Sequence, residues 1–97
     1  MRKVILDCVF EWDDEKDKEN RKKHRVDFET AAWVFADPKH IEYPDEMHSD
    51  DEMRYDVVGF VKNVLFVVCT DRGDATRIIS ARKATAKERG MYYGNRS

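Results

Sequence analysis

Two stretches of this sequence carry the residue types needed for chemistry on an anion. The first is Arg77-Ile78-Ile79-Ser80-Ala81-Arg82-Lys83-Ala84-Thr85. This β-branched run has cations at both ends and passes into a Lys/Arg/Glu-bearing segment that reads as a helix, so it offers a rigid strand presenting guanidinium groups. The second is Lys23-His24, at the end of a highly polar stretch. Histidine and lysine can move protons, whereas arginine stays protonated and grips two phosphate oxygens at once. Proton transfer combined with fixed positive charge is what displacement at phosphorus requires, because one group must take a proton, another must give one, and the pentacoordinate phosphorane is doubly negative. Arg54 and Arg72 add guanidinium groups, Lys83 adds an ammonium beside Arg82, and Tyr92 could stack on a base or donate to phosphate.

Each of these residues also has a plain structural reading. His24 could simply cap a helix C-terminus, and Tyr92 could be a packing residue. Arg77 and Arg82 are five positions apart, so an unbroken strand points them to opposite faces. They can serve one site only if a bulge intervenes or if Arg82 lies beyond the strand's end. Arg77 could instead pair with an acidic residue across the sheet. A metal is the competing idea, since His40, Asp45, His48, Asp50, Asp51 and Glu52 are close in sequence. Their spacing matches no recognised loop and a solvated acidic turn explains it with fewer assumptions, so no metal and no cofactor are expected.

The elements that must position these groups follow in order. Val4 to Leu6 and Val9 to Trp12 read as one interrupted strand or two short ones, with Phe10 and Trp12 on one parity. Asp13 or Asp14 caps a helix running to about His24, with acids in its first turn and bases in its last, and with i,i+4 pairs such as Asp17/Arg21. This helix has no apolar stripe, so it must lie at the surface and take purchase from side-chain stems and flanking aromatics. Asp27 reads as the N-cap of a second helix whose Phe28, Ala31, Ala32 and Phe35 form a buried face, ended by Asp37-Pro38. Trp33 falls off that stripe as a core-edge aromatic. Ile41 to Tyr43 is a candidate short strand. Met53 to Val61 and Val64 to Thr70 form a hairpin through Lys62-Asn63, with Asn63 tolerating positive φ. A turn at Arg72-Gly73-Asp74 leads to a third strand, Thr76 to Lys83. Val64 to Val68 should be central and buried on both faces. A last helix runs from Thr85 as cap to about Tyr93, packed back on the sheet.

With 97 residues, 41% of them hydrophobic, the chain can bury one modest core, so a single domain over residues 1–97 is expected. The apolar run Val4-Ile5-Leu6 is broken at Asp7 and is too short for a signal-peptide core or a membrane span, which predicts a cytoplasmic protein without a membrane partner. Cys8 and Cys69 lie in apolar runs without metal-site spacing and are expected to be reduced, buried thiols. The net charge of -2 hides a segregation. Asp37 to Asp56 carries eight acidic residues against two basic, and Arg72 to Ser97 carries seven basic against two acidic. That asymmetry predicts one face for an anion and another for a cationic partner.

Phe10-Glu11-Trp12-Asp13, Asn20 followed by Lys23-His24, Val26-Asp27-Phe28-Glu29, Glu52 and Arg54 ahead of Gly59, Ser80-Ala81-Arg82, and Glu88-Arg89 with Tyr92 occur in the order found in the BrnT family. The sequence resembles that family from about Phe10 to Tyr92. The resemblance implies a small bacterial ribonuclease toxin with a RelE-like α+β fold, an antiparallel β-sheet flanked by two N-terminal helices and one C-terminal helix. It further implies metal-independent cleavage of RNA, expected to be mRNA, with inhibition of translation and growth. The implied partner is a BrnA-like antitoxin, which touches operator DNA on the toxin's behalf. The alternative is a catalytically weak or inactive module that binds the antitoxin as a corepressor. The expected catalytic set is His24, Lys23, Arg54 and Arg82, and the expected RNA contacts are Arg72, Arg77, Lys83 and Tyr92. The family carries glycine after the histidine where this chain has Arg25. The end of the first helix is therefore a place where the chain could depart from the family.

Overall fold

The computed structural model describes residues 1–46 and 52–94. Six strands form one sheet: β1 (Arg2–Ile5), β2 (Cys8–Glu11), β3 (Ile41–Pro44), β4 (Arg54–Val61), β5 (Asn63–Arg72) and β6 (Ala75–Lys83). Their order across the sheet is β1-β2-β6-β5-β4-β3. The meander β4-β5-β6 is antiparallel as the turn signals predict, but β2 joins β6 in parallel, with Glu11 opposite Arg77. The expected antiparallel sheet is thus a mixed one. Parallel pairing needs a crossover, and here the chain from α1 to β5 supplies it, placing the N-terminal hairpin beside the last strand. β5 is central, and Val64, Leu65, Val67 and Val68 are all buried.

The β1–β2 hairpin turns at Leu6 and Asp7, both with positive φ, the primed geometry that suits the right-handed twist of a tight hairpin. The β4–β5 ladder closes with Val61 opposite Asn63, so Lys62, not Asn63, takes the left-handed position at φ 62°.

Three helices complete the fold: α1 (Asp14–His24), α2 (Phe28–Ala32) and α3 (Ala86–Gly94). Asp13 caps α1 by accepting from the Glu15 and Lys16 backbone N–H groups. Having no apolar stripe, α1 is fixed by a polar clamp. The buried Asn20 amide donates to the Val26 and Ala81 carbonyls at 2.8 Å each and accepts from the Ala81 N–H at 3.2 Å. Ala81 offers those groups because β2 leaves β6 after Arg77, and α1 takes over the exposed strand edge. The expected pairing along the helix is not seen, since Asp17 accepts from the Phe28 backbone N–H.

Asp27 caps α2 as expected. The second helix then tightens into a 3-10 turn, Trp33–Ala36, which buries Val34 and leaves Phe35 half-buried. Gly59 makes this approach possible, because a Cβ there would sit 3.0 Å from both Val34 Cβ and the Val34 carbonyl oxygen. One face of the sheet packs Val57, Leu65, Val67, Cys69, Ile78 and Ala81 against Phe28, Ala31, Ala32 and Val34. The other packs Val58, Val64 and Ala84 against Tyr92 of α3. Cys69 is buried, and that burial pushes its thiol up. Cys8, expected to be buried, is exposed. No helix of the described residues is long and apolar enough to cross a membrane.

Candidate active site

The four arginines singled out from the sequence lie on one face of the sheet, and an irregularity in the ladder puts them there. Val68 pairs with Ser80 but Cys69 pairs with Ile78, so Ile79 is an extra residue in β6. A bulge of this kind resets the alternation of side chains. Arg82, opposite Phe66, and Arg77, opposite Thr70, consequently point the same way despite their odd separation. Arg54 is also opposite Thr70, from the β4 side, and Arg72 is two residues further along β5 on the same parity. One row across the sheet therefore reads Arg54, Thr70, Arg77, Glu11. A second reads Tyr43, Asp56, Val68, Ser80, and a third Ile41, Val58, Phe66, Arg82. Adjacent rows are about 7 Å apart and neighbouring strands about 5 Å apart, a spacing that suits successive groups of an extended polyanion.

Arg72, Arg77 and Arg82 are each tied to a carboxylate. Arg82 makes two bonds to Glu88, Nη1 to Oε1 at 2.7 Å and Nη2 to Oε2 at 2.9 Å, and its guanidinium carbon lies 4.2 Å from the centroid of the Phe66 ring. Glu88 is also the second half of a capping box, accepting from the Thr85 N–H while its own N–H donates to Thr85 Oγ1. Burial pushes the Glu88 carboxyl up, but the bonds from Arg82 and Thr85 outweigh it and hold the group below its ordinary range; the same bond raises Arg82. Arg77 Nη1 reaches Glu11 Oε2 at 2.9 Å, the cross-sheet pairing that was the plainer reading of that residue, and Arg72 reaches Glu52 at 3.4 Å. Of these three acids only Glu52 comes from the acidic segment, and its bond to Arg72 joins that segment to the basic one.

Lys23 and His24 occupy the last turn of α1, with Lys23 exposed and His24 half-buried. The Asn20 clamp on Ala81 brings that turn to the end of β6 where Arg82 and Lys83 lie. Among the described residues no hydrogen bond or ion pair joins His24 to Arg82. Arg25 keeps the left-handed cap the family gives to glycine, at φ 59° and ψ 30°, and its N–H donates to the Arg21 carbonyl at 2.9 Å.

Two expected RNA contacts are placed elsewhere. Lys83, opposite Leu65, points to the face away from the arginines. Tyr92 is buried, and its hydroxyl donates to Asp37 Oδ2, so it cannot stack on a base. The exposed rings near it are Trp33, Phe60 and Tyr93, which line a groove of about 560 Å³. Asp37, on sequence grounds only a helix end, accepts from Tyr92 and from the Lys39 and Phe60 N–H groups, and those bonds outweigh burial in holding its carboxyl low. Glu11 is a second site residue that the sequence reading leaves out, although alternation with the buried Phe10 and Trp12 assigns it to the opposite face. Of the candidate metal ligands, His40 bonds to the Asp37 carbonyl and Glu42, while His48, Asp50 and Asp51 lie outside the described residues. No three metal-ligating side chains converge among the described residues.

Residues 12–88 match the family model described as the ribonuclease toxin BrnT of a type II toxin-antitoxin system. The chain belongs to the BrnT toxin family. Its structure is similar to the 1.1 Å crystal structure of the Brucella abortus ribonuclease toxin BrnT, with a TM-score of 0.61 and 23% identity, covering 76% of this chain and 92% of that one. At that identity the likeness shows a shared fold. No curated protein sequence matches. The BrnT match spans α1 with Lys23-His24 and the whole arginine-bearing part of the sheet, and it stops at Glu88, the partner of Arg82.

Proposed function

We propose that this chain is an RNA-cleaving toxin of the RelE-like kind, working without a metal ion and held in check by a BrnA-like antitoxin in the cytoplasm. The observation that carries the reading is the bulge at Ile79, which gathers Arg54, Arg72, Arg77 and Arg82 on one face. An RNA strand laid on that face meets guanidinium groups on three adjacent strands. The 2′-hydroxyl attacks the adjacent phosphorus, the P–O5′ bond breaks, and a 2′,3′-cyclic phosphate and a 5′-hydroxyl result. One of His24 and Lys23 takes the 2′-hydroxyl proton, and the other group returns a proton to the departing 5′ oxygen. Arg54 and Arg82 stabilise the charge that builds on the phosphorane. Arg72 and Arg77 hold the flanking phosphates. The substrate class is mRNA, whose loss stops translation and growth.

The internal ion pairs favour one alternative. Because Arg72, Arg77 and Arg82 are engaged by Glu52, Glu11 and Glu88, a chain with the same fold could serve only as an antitoxin-binding corepressor, with DNA reached through the antitoxin. Incubating the purified protein with RNA in EDTA separates the readings. Cleavage that persists, ending in cyclic phosphate, supports the toxin; loss on chelation requires a metal; no cleavage in either condition leaves the corepressor.

A further inference from the structure

Arg25 and Lys62 hold left-handed backbone while carrying long cationic side chains, at φ 59° and 62°. Glycine or asparagine would occupy either position at lower steric cost. The other non-glycine residues with positive φ among those described, Leu6 and Asp7, sit together in the β1–β2 turn. Arg25 and Lys62 come from distant parts of the chain, the cap of α1 and the β4–β5 turn, yet both line one cleft of about 200 Å³. Lys83 enters it from β6, Thr30 and Asn63 add polar atoms, and Val61 and Leu65 contribute apolar wall. Asp27 is present too, but its carboxylate is committed to the Thr30 N–H as the cap of α2. Among the described residues none of the three cations has a carboxylate partner, unlike Arg72, Arg77 and Arg82 on the opposite face.

We propose that this cleft is a second phosphate subsite, taking the backbone of single-stranded RNA through Arg25, Lys62 and Lys83. Strain retained at two positions that converge on one place is the kind kept for a function, and three cations gathered around the single carboxylate of Asp27 leave a net positive field that draws an anion. The subsite rests on the proposed action on RNA. Arg25 follows His24 directly, so a strand being cleaved at His24 passes the cleft on leaving the arginine face. An acidic protein segment would meet the same charges, but RNA fits better. A protein interface needs an apolar centre, and the exposed rings Trp33, Phe60 and Tyr93 line a different groove.

Arg25→Gly and Lys62→Asn are chosen because each keeps the left-handed backbone and removes the cation, so neither variant should melt below the parent. The probe is a short 2′-O-methyl RNA, which cannot be cleaved, followed by fluorescence anisotropy across a salt series. Each phosphate left without its cation should flatten the log-log salt slope by about 0.7, so the double variant should lose about 1.4. A double variant with the parent's affinity and slope overturns the subsite. So does affinity for polyglutamate that falls in the variants while RNA affinity does not. Cleavage is read separately on unmodified RNA. Absent cleavage with a flattened slope removes the ribonuclease and keeps the cleft, whereas cleavage with an unchanged slope keeps the enzyme and removes the cleft.

Discussion

The Arg82 guanidinium is held on two sides, by a two-bond fork from Glu88 and by the face of the Phe66 ring. Lysine can reproduce neither the fork nor the stack, so Arg82→Lys should relieve growth arrest as fully as Arg82→Ala. Truncation to alanine also strands the Glu88 carboxylate, whose side chain is only 14% exposed, and should lower stability by about 1–3 kcal/mol. Arg82→Ala/Glu88→Gln, which removes the stranded charge and keeps the acceptor for the Thr85 N–H, should recover part of that stability but none of the toxicity. Urea unfolding alongside growth curves at matched soluble expression checks both.

Glu88 also predicts a pH dependence. Its carboxyl is held below the ordinary glutamate range in the folded protein, so its contribution is present above that ordinary value and is lost as pH falls through the lower folded value. The melting temperature of the parent should exceed that of Glu88→Gln at neutral pH, and the gap should close in acid below the usual carboxylate range. A gap that stays constant down to that acid range counts against an ionised Glu88.

His24→Ala should abolish growth arrest while leaving the melting temperature near that of the parent. The loss of a well-placed catalytic group costs about 10²–10³ in rate, whereas His24 is only half-buried and makes no hydrogen bond among the described residues. Persistent toxicity at matched expression removes it from the site.

Asn20→Ala should be among the most damaging substitutions in the chain. It deletes three buried hydrogen bonds and leaves both backbone groups of Ala81 unsatisfied, which amounts to about 2–4 kcal/mol. Because α1 has no apolar face to hold it, hydrogen exchange in residues 14–24 should accelerate more than in β5. Uniform protection across both elements would show that the clamp is dispensable.

Two glycines should behave oppositely. Gly59→Ala forces a methyl to within 3.0 Å of Val34 and should cost about 1–3 kcal/mol. Gly90, inside α3, has nothing within 4 Å of an added Cβ, so Gly90→Ala should be neutral or stabilising by about 0.5–1 kcal/mol. Thermal melts of the two single variants decide this.

Local chemistry makes much of the fold legible. Caps at Asp13, Asp27 and Thr85, the Phe28/Ala31/Ala32 stripe and the apolar run of β5 each express a neighbourly preference that can be read without the rest of the molecule. What is not legible depends on partners far along the chain. The parallel junction of β2 with β6 leaves no mark in either segment, and a polar helix does not announce which of its residues will be buried. The candidate site divides the same way. The residue types of the arginine face are evident, but its common orientation rests on one extra residue, Ile79, which looks like any other β-branched strand position. Lys83 escapes a sequence reading because strand parity after a bulge is a property of the assembled sheet, and of the two readings open for Tyr92 only the packing of α3 on that sheet selects the buried one.

The position of β6 between β2 and β5 has a consequence for the order in which this protein can come into being. Residues 75–83 are synthesised late, yet they provide the strand that receives β2, the backbone groups that receive Asn20 and part of the floor beneath α2. Residues 1–32 therefore emerge from the ribosome with their docking strand still unmade, and only the local pairs β1–β2, β3–β4 and β4–β5 can form on their own schedule. Docking that joins the two ends of a chain is slow and comes last. A polypeptide released before Ala75 carries Lys23, His24 and Arg54 but neither Arg77 nor Arg82. If cleavage needs the complete arginine face, a cell that makes this toxin makes it harmless until β6 has been translated.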